Sequence, residues 1–543
     1  MMTIKTTLKN EIAQAIKDLY GLADLSFTID YPPTPEFGAY SCNVAMILAR
    51  ELKISPMDIA HAMAQKLENN KIWEKIAVVK PGFINFYLAD KILQDNLDLI
   101  LKEKEKFGYL KSKKKEKIMV EFISANPTGP LTLANGRGGF SGDVLANVLK
   151  LTGHKVEREY YINDYGNQVR ALGHSILKDD EAQYSGEYIN ELAKKIKMDP
   201  RLREDDKNDD KTKKDDIAFK IGEVTAKIIL EEMIKPVVKK AGIKFDTWFS
   251  EKTLHDSGAV EKMFQYLKNK NLVYEHDGAV WLKTTESEEN IDDKDRVLIK
   301  STGEKTYFLA DIAYHFDKFK KRKFDKVINL WGADHYGYVA RMKQAVALLG
   351  FPNQLEILLM QMVRLIKNGQ EFKMSKRAGI YVTLEELIDM VGLDVTRFFF
   401  LMHANNKQMD FDLDLAKERS QKNPVFYVQY AHARICSILE KVSSVKVSSV
   451  KVKKELHNSE KELIKELIKW PEIVAEVALN YEVHKICFYT IALADKFHDF
   501  YENCRVIEEN NQVNDWRLNL VRATKQVLKN VLTCLGVNAP EKM

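Results

Sequence analysis

Apolar and polar positions follow different periods along this chain, and the changes of period divide it. From residue 1 to about 90 the pattern is that of a small α/β domain. Ala60, Met63, Ala64 and Leu67 recur at helical spacing. Just ahead of them, Ser55 is placed to cap the helix and Pro56 to fill its first position. Ile76 to Phe86 is strand-like around the turn signal Pro81-Gly82. Leu101 to Lys117 is dense in Lys and Glu, so residues 91–117 read as a linker.

A strand–loop–helix–strand pattern follows. Ile118 to Ile123 is mostly apolar, and Asn126-Pro-Thr-Gly-Pro130 is a loop. Phe140, Val144, Leu145, Val148 and Leu149 sit at helical spacing before a C-capping Gly153, and Lys155 to Ile162 is a second strand. This unit builds parallel sheets. Strand patterns return at Val327 to Trp331 and Leu355 to Gln361. The sheet-forming region is therefore 118–382, with an insertion at about 175–295. Residues 203–216 carry no apolar side chain, which predicts an exposed or disordered loop. From about 383 to 543 the periodicity is helical. A short echo, Lys441-Val-Ser-Ser-Val then Lys446-Val-Ser-Ser-Val, marks a loop and is too short for an architectural repeat. The fold class expected is α/β and multidomain, with an all-α C-terminal part.

Charge adds little, because 83 basic and 78 acidic residues leave a net charge of only +5. The lysine runs Lys111 to Lys117 and Lys318 to Lys326 read as solvated loops. The five cysteines, Cys42, Cys436, Cys487, Cys504 and Cys534, form no C-x-x-C pair, so no zinc site and no disulfide framework is expected. With no apolar signal core in Met1 to Lys9 and no run of about 18 apolar residues, a cytoplasmic, non-membrane location is expected.

Two segments carry candidate chemistry. Pro127-Thr-Gly-Pro-Leu-Thr-Leu-Ala-Asn-Gly-Arg-Gly-Gly139 ends at a helix start, where free N–H groups favour an anion. It lacks the G-K-[ST] of a P-loop. Far downstream, Lys373-Met-Ser-Lys376 flanks a hydroxyl with two mobile cations, a device suited to gripping polyphosphate in a transition state.

Together these segments resemble class I aminoacyl-tRNA synthetases. Glu121-Phe-Ile-Ser-Ala-Asn-Pro-Thr-Gly-Pro-Leu131 looks like the arginyl-tRNA synthetase form of the first class signature, and Lys373-Met-Ser-Lys376 like the second. Tyr161 to Gln168, Trp331 to Gly337, Asp394 to Phe398 and Asn423 to Arg434 are similar to further family segments, in the family's order. The resemblance implies a Rossmann-like catalytic domain, an added N-terminal tRNA-binding domain (1–90) and a helical anticodon-binding bundle (383–543). It implies two steps, arginyl-adenylate formation from L-arginine and ATP with Mg2+, then transfer to the terminal adenosine of tRNA(Arg). A monomer is expected.

The resemblance also implies roles. Asp311, with Tyr307 beside it, would meet the guanidinium, while Glu121, Ser124 and Asn126 would lie at the rest of the arginine. Pro127, Thr128, Gly129, Gly136, Gly332, Asp334, His335, Met362 and Val363 would hold ATP. Lys373, Ser375 and Lys376 would act on its phosphates, and Tyr427, Tyr430 and Arg434 would read anticodon bases by stacking and edge hydrogen bonds. The pattern departs from the family at one place. Thr132-Leu-Ala-Asn135 stands where a two-histidine array is usual, so Thr132 and Asn135 are expected as neutral replacement donors. A catalytically weak relative that binds tRNA is the alternative, and a nucleotidylyltransferase would need neither the helical bundle nor the arginine-site residues.

Overall fold

The structure, a computed structural model, describes residues 3–23, 25–112, 114–197, 211–285, 292–372, 382–444, 449–450, 456–508 and 512–543. Two compact units emerge, one of Ser112–Arg419 with Glu482–His484, the other of Met1–Lys111, Ser420–Tyr481 and Lys485–Met543.

The first unit is built on a five-stranded parallel sheet. Its strands lie in the order Leu355–Met360, Lys326–Gly332, Lys117–Glu121, Lys155–Ile162, Thr247–Ser250. Ile118, Met119 and Val120 are all buried, as expected of a central strand covered on both faces. The chain winds outward in both directions from Lys117–Glu121. A crevice therefore opens at the carboxyl ends of Lys117–Glu121 and Lys326–Gly332, the place where doubly wound sheets bind ligands. Thr247–Ser250 pairs parallel with Lys155–Ile162, so part of the expected 175–295 insertion belongs to the main sheet. The rest supplies helices and two strands, Val273–His276 and Ala279–Leu282, which form a small antiparallel sheet with Arg296–Ile299 just beyond it.

The boundary expected at 382/383 also shifts. Helices Leu384–Val391 and Leu393–Leu401 belong to the first unit. Phe400 packs on Phe140 and Phe411, and the buried guanidinium of Arg397 pairs with Asp143. Helical periodicity continues across this junction, so it carries no signal of the boundary.

In the second unit a four-stranded antiparallel sheet, ordered Ile29–Asp30, Tyr40–Cys42, Phe83–Leu88, Trp73–Val79, joins the helices Pro424–Ser444, Asn458–Ile468, Trp470–Asn480, His484–Asn503 and Asp515–Leu535. Glu472 ties the two parts. It is 3% exposed and accepts from Tyr31 Oη at 2.7 Å, Tyr40 Oη at 3.0 Å and the Lys5 N–H at 2.8 Å. Residues 91–117, read as a linker, begin instead in helix Asp90–Glu103, whose Leu93, Leu97 and Ile100 are buried in this unit. The five cysteines are free thiols. Among the described residues, no helix is long and apolar enough to cross a membrane.

Candidate active site

The floor of the crevice is a sharp turn at the end of the first strand. Ile123 and Ser124 have φ of 65° and 39°, a region costly for side chains and especially for a β-branched one. Side chains hold the turn in place. Ser124 Oγ donates to Glu121 Oε1 at 3.2 Å and accepts the Tyr161 N–H at 3.1 Å. Beyond the turn Asn126 is exposed and Pro127 buried.

Helix Leu133–Leu151 starts over this turn. Thr132 and Asn135 form a reciprocal cap, with Asn135 Oδ1 accepting from the Thr132 N–H at 2.9 Å and from Thr132 Oγ1 at 2.8 Å. The Thr132 hydroxyl is therefore turned to its neighbour rather than left as a donor for phosphate. The Asn135 Nδ2 hydrogens, with the first-turn backbone N–H groups, are the donors this cap leaves over. The glycines of this helix serve packing. A Cβ on Gly136 would come within 2.5 Å of Leu384, and one on Gly142 within 2.3 Å of Phe122. Gly136 is thus accounted for by helix–helix contact rather than by ligand approach. Gly129 faces the Tyr188 ring, and the Thr128 carbonyl accepts from Tyr188 Oη at 3.1 Å.

Arg137, which the sequence reading passed over, is fully buried in the same helix. Its guanidinium donates to the carbonyls of Gln361 (2.8 Å), Met362 (3.3 Å), Ala404 (2.8 Å) and Lys407 (2.7 Å). Desolvation pushes its pKa down to about 10. The Met362 carbonyl also accepts the Met409 N–H at 3.2 Å, and Val363 pairs with Met409 in a short parallel ladder. So the Met362 carbonyl is committed inside the protein, and any backbone contribution of Met362 and Val363 to ATP would come from their other groups. Gly332, Asp334 and His335 lie exposed at the carboxyl end of their strand. Lys373, Ser375 and Lys376 lie outside the described residues. Beyond them Thr383 bridges to Thr132, and the Leu384 N–H donates to the Leu131 carbonyl at 2.9 Å.

Across the crevice, helix Tyr307–Phe316 presents Tyr307 and Asp311 one turn apart. Tyr307 is 53% exposed, and its hydroxyl accepts the Asn167 N–H at 3.4 Å. Asp311 Oδ2 accepts from Tyr338 Oη at 2.6 Å. Burial, reinforced by the charges of Glu251 and Glu121 and opposed by the Tyr338 hydrogen bond and Lys318, pushes the Asp311 carboxyl up to about 7. Glu251 is a second acid here that the sequence reading missed. It is 3% exposed at the end of strand Thr247–Ser250, with His255 Nε2 3.6 Å away. Glu121 is also buried, but it is already neutralised. Lys318, wholly buried, forms an ion pair with it, and the Tyr314 hydroxyl, whose hydrogen goes to Glu159 at 2.5 Å, stands 3.1 Å from it. The run from Lys318, read as a solvated loop, therefore begins with a core lysine.

In the second unit Tyr427, Tyr430 and Arg434 share one helix face. Tyr427 donates to Asp495 at 2.6 Å, Tyr430 stacks near His498, and the Arg434 guanidinium lies 5.1 Å from the Tyr430 ring and 4.4 Å from the Tyr501 ring. An open cleft beside them is lined by Tyr430, Arg434, Tyr501 and Lys542. His498, Tyr501 and Lys542 come from distant positions and had no local signal.

A doubly wound parallel sheet with a capped helix start and the buried acids Asp311 and Glu251 near its switch point fits the catalytic domain of a class I tRNA synthetase. Comparison with known proteins agrees. Residues 96–420 match the family "tRNA synthetases class I (R), catalytic domain", residues 6–88 the "Arginyl tRNA synthetase N terminal domain", and residues 428–543 the "DALR anticodon binding domain". The Arginine--tRNA ligase of Syntrophotalea carbinolica is 40% identical over 99% of this chain and 100% of its own length. That of Moorella thermoacetica is 42% identical over the full length of both. The fold superposes on Thermus thermophilus arginyl-tRNA synthetase with a TM-score of 0.81, 23% identity and complete coverage of both chains. The chain belongs to the arginyl-tRNA synthetases.

Proposed function

We propose that this enzyme activates L-arginine with ATP and transfers it to tRNA(Arg), using the crevice between helix start Thr132–Asn135 and helix Tyr307–Phe316. The observation that carries this reading is a buried Asp311 carboxyl, within electrostatic reach of buried Glu251, on the same sheet crevice as a helix N-terminus. A guanidinium needs carboxylates on one side of the crevice, and a polyphosphate needs N–H donors on the other. Bound between them, the arginine carboxylate attacks the α-phosphorus of ATP, and the bond to pyrophosphate breaks. In the second step the terminal 2′-hydroxyl of tRNA attacks the arginyl carbonyl carbon, and AMP leaves. Mg2+ would arrive on the phosphate oxygens, since the helix start offers hydrogen-bond donors rather than oxygen ligands. Lys373 and Lys376 would add positive charge as it develops on the phosphates, with Ser375 as a hydroxyl donor. Tyr427, Tyr430 and Arg434, joined by His498 and Tyr501, would take anticodon bases.

In this reading Asn135 is the side-chain donor that stands in for the usual imidazoles, while Thr132 positions it. Asn135→Asp keeps the cap acceptor but places a negative charge towards phosphate. Adenylate formation should fall by about 10²–10³, the usual effect of losing one transition-state donor, with the melting temperature nearly unchanged. Pre-steady-state pyrophosphate release measures it, and an unchanged rate would remove Asn135 from the chemistry.

The acid pair makes a pH prediction. A guanidinium binds the ionised form of Asp311, whose pKa of about 7 is raised. Below that pH the carboxyl must first lose its proton, so arginine affinity should rise about tenfold per pH unit up to about pH 7 and level off above it. Calorimetric titration of arginine from pH 5.5 to 8.5 checks this.

A further inference from the structure

A histidine away from the crevice is arranged as a metal ligand. His174 lies on helix Asn167–Leu177 and is 3% exposed. This helix crosses helix Lys211–Ile228 at very close range. A Cβ on Gly173 would come within 1.7 Å of the Ala218 carbonyl oxygen, and one on Gly222 within 1.9 Å of the Val169 carbonyl oxygen. The crossing brings the imidazole beside Asp215 of the second helix. Nδ1 is bonded to Asp179 Oδ2 at 2.8 Å. Nε2 stands 3.4 Å from Asp215 Oδ1 and 3.9 Å from Glu181 Oε2, yet it has no hydrogen-bond partner among the described residues. One ligand atom from each of His174, Glu181 and Asp215 lies within 4.8 Å of the others.

We propose that His174 Nε2, Glu181 and Asp215 bind one divalent transition-metal ion of the zinc type, with Asp179 orienting the imidazole. Two ligands each 2.0–2.1 Å from a tetrahedral ion stand about 3.3 Å apart, close to the His174–Asp215 spacing. A carboxylate on the far ring nitrogen is the usual support of a metal-bound histidine, because it fixes the tautomer and frees the other nitrogen's lone pair. Nε2, turned without a hydrogen bond towards two carboxylates, calls for a proton or a cation between them, and the three-ligand geometry suits the cation. Imidazole in the set favours zinc-like ions over magnesium, which prefers oxygen throughout. No cysteine takes part, so a reading of cysteine spacing cannot detect the site. The ion would staple the loop after the first helix to the start of the second.

Cobalt titration of the full-length, chelator-stripped enzyme tests this, because the visible ligand-field band of Co2+ reports a low-coordinate nitrogen–oxygen site. The expected result is one equivalent of Co2+ giving the band, displaced by Zn2+, and a higher melting temperature with Zn2+. Asp215→Asn and His174→Ala should each abolish the band. Asp179→Asn should weaken Co2+ binding about 10–100-fold. Melting curves of the metal-free proteins separate loss of the site from loss of the fold. No band in the native enzyme, as expected if His174 is only a protonated ion-pair partner, would overturn the proposal. So would a full band in folded Asp215→Asn.

Discussion

Asp311→Asn is expected to raise the KM for arginine by on the order of 10²-fold or more while leaving the KM for ATP within about twofold. The substitution keeps size and one acceptor, and the Tyr338 hydroxyl can still donate to the amide oxygen. It removes the charge that a desolvated guanidinium needs, and losing one partner of a buried hydrogen-bonded charge pair costs about 2–5 kcal/mol. Glu251 remains nearby, so binding should weaken rather than vanish. The pH dependence of arginine affinity near 7 should flatten in the variant, since its titrating group is gone. Equal weakening of arginine and ATP would mean that the substitution disturbs the crevice as a whole and would remove Asp311 from guanidinium recognition.

Lys318→Met is expected to cost about 3–5 kcal/mol of stability, because it leaves the buried Glu121 carboxylate without its cation. Nearby Glu159 cannot share the loss, since it is already paired with Arg322 and bonded by Tyr314 Oη at 2.5 Å. Adding Glu121→Gln should recover most of the loss, because removing both charges spares the desolvation of an unpaired one. Denaturant midpoints of the single and double variants give the coupling. The single variant should also move the arginine pH profile upward, since the Lys318 charge lowers the Asp311 pKa. A single-variant cost below about 1 kcal/mol would show that the pair is solvated and not a buried support of the site.

The elements that could be read from sequence were those whose signal is local. The strand ending at Glu121, the helix opening at Thr132 and the turn between them follow from apolar runs and capping chemistry, and Tyr307 and Asp311 share a face by spacing alone. Other features depend on what the chain meets in three dimensions. Glu251 sits at the end of a four-residue strand, too short to stand out, and becomes a site acid only through its neighbours Asp311 and Tyr161. Arg137 looks like a surface arginine in a glycine-rich segment until four carbonyls from distant loops converge on it. Two features carried a signal that charge obscured. Leu93, Leu97 and Ile100 have helical spacing inside a stretch dominated by Lys and Glu. Lys318 follows Asp311 and His315 on one helix face, at the head of a lysine run. The reciprocal cap of Thr132 and Asn135 was also latent, since both side chains suit a helix start, but reading them as two independent donors overlooked that each satisfies the other.

Charging of unfractionated bacterial tRNA by the native enzyme, with each labelled amino acid supplied in turn, tests the central claim most directly. The expected result is ATP-dependent, acid-precipitable label with arginine alone, released by mild base as an ester. Binding of tRNA with no charging by arginine, or charging by another amino acid at a comparable rate, would contradict it.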